Sequence, residues 1–419
     1  MRNKMDSKRE VNKAGGFWTL RYTLINALYF SAFCTLHALA AVYLLANGFT
    51  NTEVGILLAV ANITSALCQP LFAGIIDKQG WLTNRRYIFI SAIMIMLGSI
   101  LLMFAHDSKV VVFIVYALIY MIQFAYQPVV TALYFEYEKY GCKINFGLAR
   151  GLGSASFAVT SAFIGGYVER SGVSVLLVVN VITMILTAII IYFFKNPSEN
   201  TDSDLVSDEV SKEMDNESDD EVVQAHNNIL DFVKTYPAYA IFLIAVICFF
   251  FAHNMINDFM IQIIRSLGGA EKELGYSNFL QAILELPVMA LFALILKKIS
   301  AQKLLIISGI AFFIKILILI FATNMTMMYI SQSCQLFAYA LFIPAAAYYV
   351  NESMSEHDQV KGQAFVTSAI TMGGVFSNLI SGVILDNLGI KEMLMTGTIV
   401  AALGVIVIFY AMNKKSNSK

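Results

Sequence analysis

The sequence predicts an all-α polytopic membrane protein, with twelve transmembrane helices arranged as two bundles of six. Three observations carry that expectation: a lipid-compatible composition, twelve apolar runs of spanning length, and one acidic interruption midway. Of 419 residues, 58% are hydrophobic and only 14% charged, with 31 Phe, 20 Tyr and 19 Met. Mean hydropathy is +0.69. Soluble domains carry roughly a quarter charged residues, so the main solvent of this chain is lipid. The net charge of −1 supplies no basic excess for nucleic acid.

The apolar runs lie near 18–46, 51–76, 86–105, 110–135, 146–168, 172–194, 236–264, 273–296, 302–322, 326–350, 361–385 and 392–412. Each reaches or exceeds the roughly 20 residues that a helix needs to cross a bilayer, and several outrun a straight crossing, which implies tilt. The N-terminal "MRNKMDSKRE" is basic, yet the run after it is too long for a signal peptide and has no evident cleavage site. It is expected to stay as a helix. With both termini in the cytoplasm, 22 of the 28 Lys and Arg fall on cytoplasmic segments; five (Lys109, Arg170, Arg265, Lys272 and Lys391) fall outside, and Lys315 lies within a span. That bias sets the expected orientation in the cytoplasmic membrane.

Asn196–Asn228 is polar, acidic and nearly free of aromatic residues, so a disordered, solvated tether is expected. It divides the chain into an N-terminal bundle (1–195), a linker (196–235) and a C-terminal bundle (236–419). The five cysteines form no CxxC or metal spacing and read as small core residues. Neither a metal nor a cofactor is expected. With no Walker A loop, no His/Cys cluster and no large soluble region, an enzyme is not expected either. A monomer is.

The two portions look like weak copies of each other. "IIDKQGWLTNRR" joins spans two and three, and the equally basic "LKKISAQK" joins spans eight and nine, the corresponding place in the second set. "GLARGLGSASF" opens span five and "GQAFVTSAITMGG" opens span eleven, at a similar offset along the chain. Small residues there let helix backbones approach closely. Parallel repeats of this kind are a transporter design, with the solute held between them at mid-depth.

The loop "AGIIDKQGWLTNRR" resembles the cytoplasmic signature of the major facilitator superfamily, although Ala73 stands where a glycine is usual. The resemblance implies a conformational latch of Asp77, Lys78, Arg85 and Arg86. More narrowly, "QPLFAGIIDKQG", "FGLAR", "ILEL" and "IKILILIFAT" are similar in order and spacing to the oligosaccharide:proton symporters. That likeness implies a sugar site in which Arg150 and Phe157 are the guanidinium and the stacking ring. The family's partner glutamate falls on Ala132, with Glu136 one turn away. Glu285 and Lys315 match its eighth-span acid and ninth-span base, while its tenth-span His and Glu fall on Gln335 and Ala338, and a seventh-span Asp falls on Asn257 beside Asp258. These departures speak against lactose-like specificity and against the family's usual proton relay.

Depth points to the same residues. Glu285 lies about eleven residues from the outer end of its span and Lys315 about twelve from the inner end of its own, roughly 16–18 Å each and near the midplane of a ~30 Å core. Ionisable groups there face the bundle interior and mark ion or solute pathways. A Lys315–Glu285 pair across spans eight and nine is therefore expected, with Lys315 facing the central cavity. Glu285, Lys315, His37 and Asp258 are the proton-coupling candidates. His37 has two readings, a titrating group or a neutral ring hydrogen-bonded between helices. Gln123, Gln127, Gln335 and the other buried glutamines suit hydroxyl or amide recognition. Together these features predict a secondary transporter of a small polar solute (sugar, oligosaccharide or nucleoside) by proton symport. The competing expectation is a proton-coupled drug or metabolite exporter on the same scaffold.

Overall fold

Inside lipid a backbone can satisfy its N–H and C=O groups only within its own segment, so each apolar run must coil. The computed structural model describes residues 2–77, 81–105, 107–195, 232 and 234–413. The acidic segment Asn196–Asn228 and Lys78 lie outside the described residues. The chain runs through α1 (Arg2–Phe33), α2 (Ala40–Ala46), α3 (Asn51–Asp77), α4 (Asn84–Phe104), α5 (Lys109–Lys139), α6 (Phe146–Ser171) and α7 (Ser174–Phe193). It resumes with α8 (Pro237–Asp258), α9 (Met260–Ser266), α10 (Glu271–Leu296), α11 (Ala301–Ile320), α12 (Met325–Ser333), α13 (Tyr339–Ser353), α14 (Glu356–Asn387) and α15 (Ile390–Asn413). Among the described residues eleven helical stretches are long and apolar enough to cross a membrane, and a pair bent by 47° at Leu39 makes a twelfth.

Three crossings are interrupted among the described residues. A π-helical turn, Cys34–Ala38, separates α1 from α2; Phe259 separates α8 from α9; and a 3-10 turn, Cys334–Leu336, separates α12 from α13. None of these breaks falls at a proline. Pro70, Pro128, Pro287 and Pro344 all sit inside continuous helices, so the prolines are not where the chain breaks. π turns are enriched at functional sites, and this one carries His37.

The duplication hinted at in the sequence recurs in local geometry, at one constant offset along the chain. Leu39 (φ −112°, ψ 19°) and Phe259 (φ −114°, ψ 21°) share one bend. Gly48 and Gly268 each end the following turn in the left-handed region, at φ 78° and 82°, where a Cβ would be strained. Phe49 N bonds Leu44 O at 3.2 Å, and Gly269 N bonds Ile264 O at 3.0 Å. At the next helix start Glu53 Oε2 accepts from Thr50 N at 2.8 Å, and Glu273 Oε2 accepts from Ala270 N at 2.9 Å. This is the reach-back half of a capping box, built twice.

Helices of the two portions meet along α3 against α14 and α6 against α10. Both contacts close at the end that carries the loops after α2 and α9. There a Cβ on Gly55 would strike the Asn378 carbonyl, on Gly382 the Asn51 carbonyl, on Gly275 the Ser161 carbonyl and on Gly165 the Glu271 carbonyl. Toward the end that carries the chain termini, Gly74 on α3 and Gly147 and Gly151 on α6 meet no neighbour that would obstruct a Cβ. Leu71, Ile75, Leu148 and Leu294 are exposed there. The molecule is thus closed at one end and open at the other.

The closed end carries a polar fastening as well. Asp386, at the last turn of α14, accepts from Thr52 N at 2.7 Å, Asn51 Nδ2 at 2.8 Å and Asn51 N at 3.1 Å. A carboxylate from one portion thereby caps the N-terminus of a helix in the other, where the helix dipole favours negative charge. Removing an N-cap costs about 1 kcal/mol. Asp386→Ala should therefore favour opening of that end by roughly five-fold. In a background without native cysteines, an impermeant maleimide added on that side should label Ser277→Cys correspondingly faster; an unchanged rate would mean that Asp386 does not hold the end shut.

Candidate functional site

Below the closed crossings, between the two sets of helices, lies a cavity of about 440 Å³, in the size range of small-molecule sites. Its walls differ in chemistry. The N-terminal portion presents rings: Phe30, Phe33 and His37 from the first crossing, Tyr120 and Phe124 from α5, and Phe157 from α6. The C-terminal portion sets amides and acids beside its rings Phe250, His253 and Tyr339: Asn254, Asn257 and Asp258 from α8, Asn278, Gln281 and Glu285 from α10, and Gln335 from the 3-10 turn.

The π turn swings His37 inward, where its ring stacks on Phe33 (4.3 Å between centroids, 10° between planes) and lies 3.7 Å from Tyr120. Neither ring nitrogen has a hydrogen-bond partner, so the interhelical hydrogen bond considered for His37 is not formed in this state. On α6, Arg150 Nη1 donates to Ser154 Oγ at 2.9 Å, and its guanidinium lies 4.3 Å from the Phe30 ring centre. That cation–π contact and the serine hold the fork in place. Arg150 and Glu285 face each other across the cavity without forming an ion pair.

Lys315 is fully buried, with 0% exposure, one layer behind the cavity wall. The expected direct pair with Glu285 is replaced by a bridge. Lys315 Nζ donates to Gln335 Oε1 at 2.7 Å and to Gln281 Oε1 at 3.3 Å, and Gln335 Nε2 donates to Glu285 Oε1 at 2.9 Å. An amide can accept from an ammonium and donate to a carboxylate at once, and each bond polarises the other. The 3-10 turn at the α12–α13 break is what inserts Gln335 between the charges.

Several expected residues stand elsewhere. Gln123 is fully buried between helices with both amide atoms unpartnered, and neither it nor Gln127 is on the cavity wall. Glu136, weighed as a substitute for the missing sugar-site acid, binds Asn84 Nδ2 at 2.8 Å at the open end. Ala132 is exposed on α5. Of the expected latch, Asp77 ends α3, while Arg85 and Arg86 donate to the carbonyls of Tyr192 (3.2 Å) and Trp81 (2.7 Å) within their own portion. Sequence reasoning did not single out His253, Tyr339, Tyr120, Asn62 or Asn278, all on the cavity wall. His253 stacks on Tyr339 (5.2 Å, 17°) and meets Asn257 Nδ2 at 2.9 Å. The offset that relates Leu39 to Phe259 also relates Phe33 to His253 and His37 to Asn257; the repeat spacing was a usable signal for this pair.

A family model, the MFS_1-like family, matches residues 18–413. The chain belongs to that family. Its fold is accordingly that of a major facilitator superfamily transporter. Solved structures similar to it include that of the nucleoside transporter NupG (TM-score 0.73, 14% identity, covering 94% of this chain and 98% of that one). A point mutant of NupG gives a TM-score of 0.76 at 14% identity, covering 95% and 100%. An auto-inhibited POT family peptide transporter gives 0.70 at 11% identity, covering 94% and 96%. No curated protein matches the sequence significantly.

The bridge yields a testable energetics. Removing one side of a buried charge pair commonly costs about 3–5 kcal/mol, and removing both costs less. Lys315→Ala and Glu285→Ala should each lower the thermal stability of the protein in detergent, and the double substitution should recover part of the loss. In a Gln335→Leu background that coupling should vanish. Additive losses with Gln335 present would show that the bridge carries no interaction.

Proposed function

We propose that the protein is a secondary active transporter of a small polar solute, of the sugar or nucleoside kind, coupled to protons and working by alternating access. The observation that carries this reading is the opposition of Arg150 and Glu285 on the two walls of a central cavity open at one end only. A solute that bridges those walls makes contacts in both portions at once, so its binding changes the free energy of their closure. The ring wall suits stacking on a sugar or base, and the amide wall suits hydroxyls and heteroatoms. The fold likeness to a nucleoside transporter supports keeping the nucleoside class, already expected from the sequence, in the panel worth testing.

In this reading 1–195 and 236–419 are the two rocking bundles, joined by the linker 196–235. Glu285 carries the coupling proton, and Lys315 offsets its charge through Gln335. His37 and Asp258 are secondary candidates for that role. Arg150, Phe157, Glu285 and Gln335 contact the solute. Gln123 and Gln127 could do so only after a rearrangement that brings them to the cavity. Asp77, Lys78, Arg85 and Arg86 form the latch of the opposite state, in which the terminal end closes. The lysine and arginine bias supports cytoplasmic termini, and in this reading the cavity described above opens inward. The six rings of the N-terminal wall favour a second reading, a proton-coupled exporter of an apolar drug or metabolite.

Purified protein in proteoliposomes with an imposed inward proton gradient should accumulate one class among labelled sugars and nucleosides. Glu285→Gln should abolish accumulation while leaving exchange. Arg150→Lys keeps the charge but loses the rigid fork, and should raise KM by about tenfold or more, the range of a lost charge-assisted bond. Proton-driven loss of a dye or drug from preloaded vesicles, with no uptake of any sugar or nucleoside, would favour the exporter. If Arg150→Lys transports normally, Arg150 is not a solute contact.

A further inference from the structure

The polar inventory of the C-terminal portion exceeds what the solute cavity uses. Asp258 ends α8 at the roof of the cavity, and it forms no ion pair with any described residue. Facing it is α14. There Ser377, Asn378 and Ser381 are each 0% exposed, and both Asn378 amide atoms and both serine hydroxyls have no hydrogen-bond partner. The Asp258 carboxylate approaches the Asn378 side chain, yet no well-formed bond satisfies that amide. Two further acceptors flank the acid along the chain, Asn257 Oδ1 and Gln262 Oε1, and both are buried and unpartnered.

Helix crossing alone does not demand such a group. The repeat pairs the two crossings, since Gly275 abuts the Ser161 carbonyl as Gly55 abuts that of Asn378. The N-terminal counterparts of Asp258 and Asn378 are thus Ala38 and Ser161, and Ser161 Oγ is satisfied by Cys34 Sγ at 3.0 Å. The related place does hold one unpartnered hydroxyl, Ser277 Oγ, but the carboxylate and the cluster of unpartnered oxygens around it belong to the Asp258 side. Buried polar atoms normally have partners, and bound water can supply them, but water does not neutralise a carboxylate. One carboxylate among neutral amide and hydroxyl oxygens balances a single positive charge; a divalent ion would leave a net charge in a low-dielectric site. All the ligands are hard oxygens, which suit an alkali cation over a transition metal.

We propose that the protein binds a monovalent alkali cation, with Na+ as the test ion, between Asp258 and the Asn378–Ser381 face of α14. This site is separate from Glu285 and does not depend on which solute is carried. Because the Asn378 carbonyl abuts Gly55 of α3, an ion here would order the crossing that closes the molecule. It would tie occupancy of the site to the state of that end.

The test is thermal unfolding of the purified full-length protein in detergent, titrated with NaCl against choline chloride at constant ionic strength, with no solute present. Na+ should raise the melting temperature saturably, and Asp258→Asn should abolish the rise. Asn378→Ala and Ser381→Ala keep the carboxylate, so they serve if Asp258→Asn does not fold. Each should raise the half-saturating Na+ concentration by about tenfold or more. Ser161→Ala, at the related place in the other portion, should leave the Na+ response unchanged. Coincident Na+ and choline curves in the unaltered protein would overturn the proposal. So would a rise that survives Asp258→Asn. A stabilisation produced by acid instead of Na+, and lost in Asp258→Asn, would also overturn it and make Asp258 a proton site. A failed solute screen together with a positive Na+ response would sink the solute assignment and leave this site standing.

Discussion

Everything that gives this molecule a working interior depends on backbone meeting backbone at one end of two helix pairs. In lipid no hydrophobic drive pulls helices together, so association rests on close packing and polar contacts. At Gly55, Gly382, Gly165 and Gly275 a side chain would collide with a carbonyl of the opposing helix. Their lack of one lets α3 reach α14 and α6 reach α10. Because those pairs converge at one end, they diverge at the other, and the cavity is the space that this divergence leaves. The depth of Glu285, the opposition of Arg150 to it and the roof position of Asp258 all follow from where the crossings stand.

The two crossings are near-copies, but the chemistry laid over them is not. Asp386 fastens α14 to α3, while at the related contact Glu271 is drawn into its own portion by Arg265, at 2.6 Å. The cavity walls differ likewise, with both acids, Asp258 and Glu285, on one and Arg150 on the other. Duplicated backbone with divergent side chains gives the fold two-fold mechanics and a one-sided chemistry. A transporter needs that combination: symmetric parts exchange roles between states, and an asymmetric site tells one solute orientation from another.

Much of the architecture was legible in the sequence because membrane crossing imposes length and apolarity on each segment separately. The twelve runs and the internal repeat could be counted. The breaks were not legible. Prolines are the visible signal for a kink, yet Cys34–Ala38 and Phe259 bend without one, because packing sets those bends. The Lys315–Glu285 contact was read as direct since both residues share a depth; that a 3-10 turn would insert Gln335 between them is a matter of register on a third helix. Asp386 was overlooked for a related reason. An acid at a span end looks like an ordinary solvated residue until its partner, the start of α3, is known to lie opposite.

The closed end also fixes where a membrane voltage would be felt. From Asn378 to Asp386 along α14 is about 12 Å, the stretch that holds the close approaches at Gly55 and Gly382. On the other side the cavity opens toward the end that carries the termini, so solution there would reach the cavity. Potential drops where conducting solution is absent, so most of the transmembrane voltage falls across this short plug and not across the full ~30 Å core. One elementary charge moved through 100 mV corresponds to about 2.3 kcal/mol. A charge crossing at the Asp258 layer would meet nearly all of that difference within two or three helical turns, whereas one at Glu285 would sit close to the potential of the open side. The shape of the seal thus makes the molecule a voltage divider, with the steep part at the glycines.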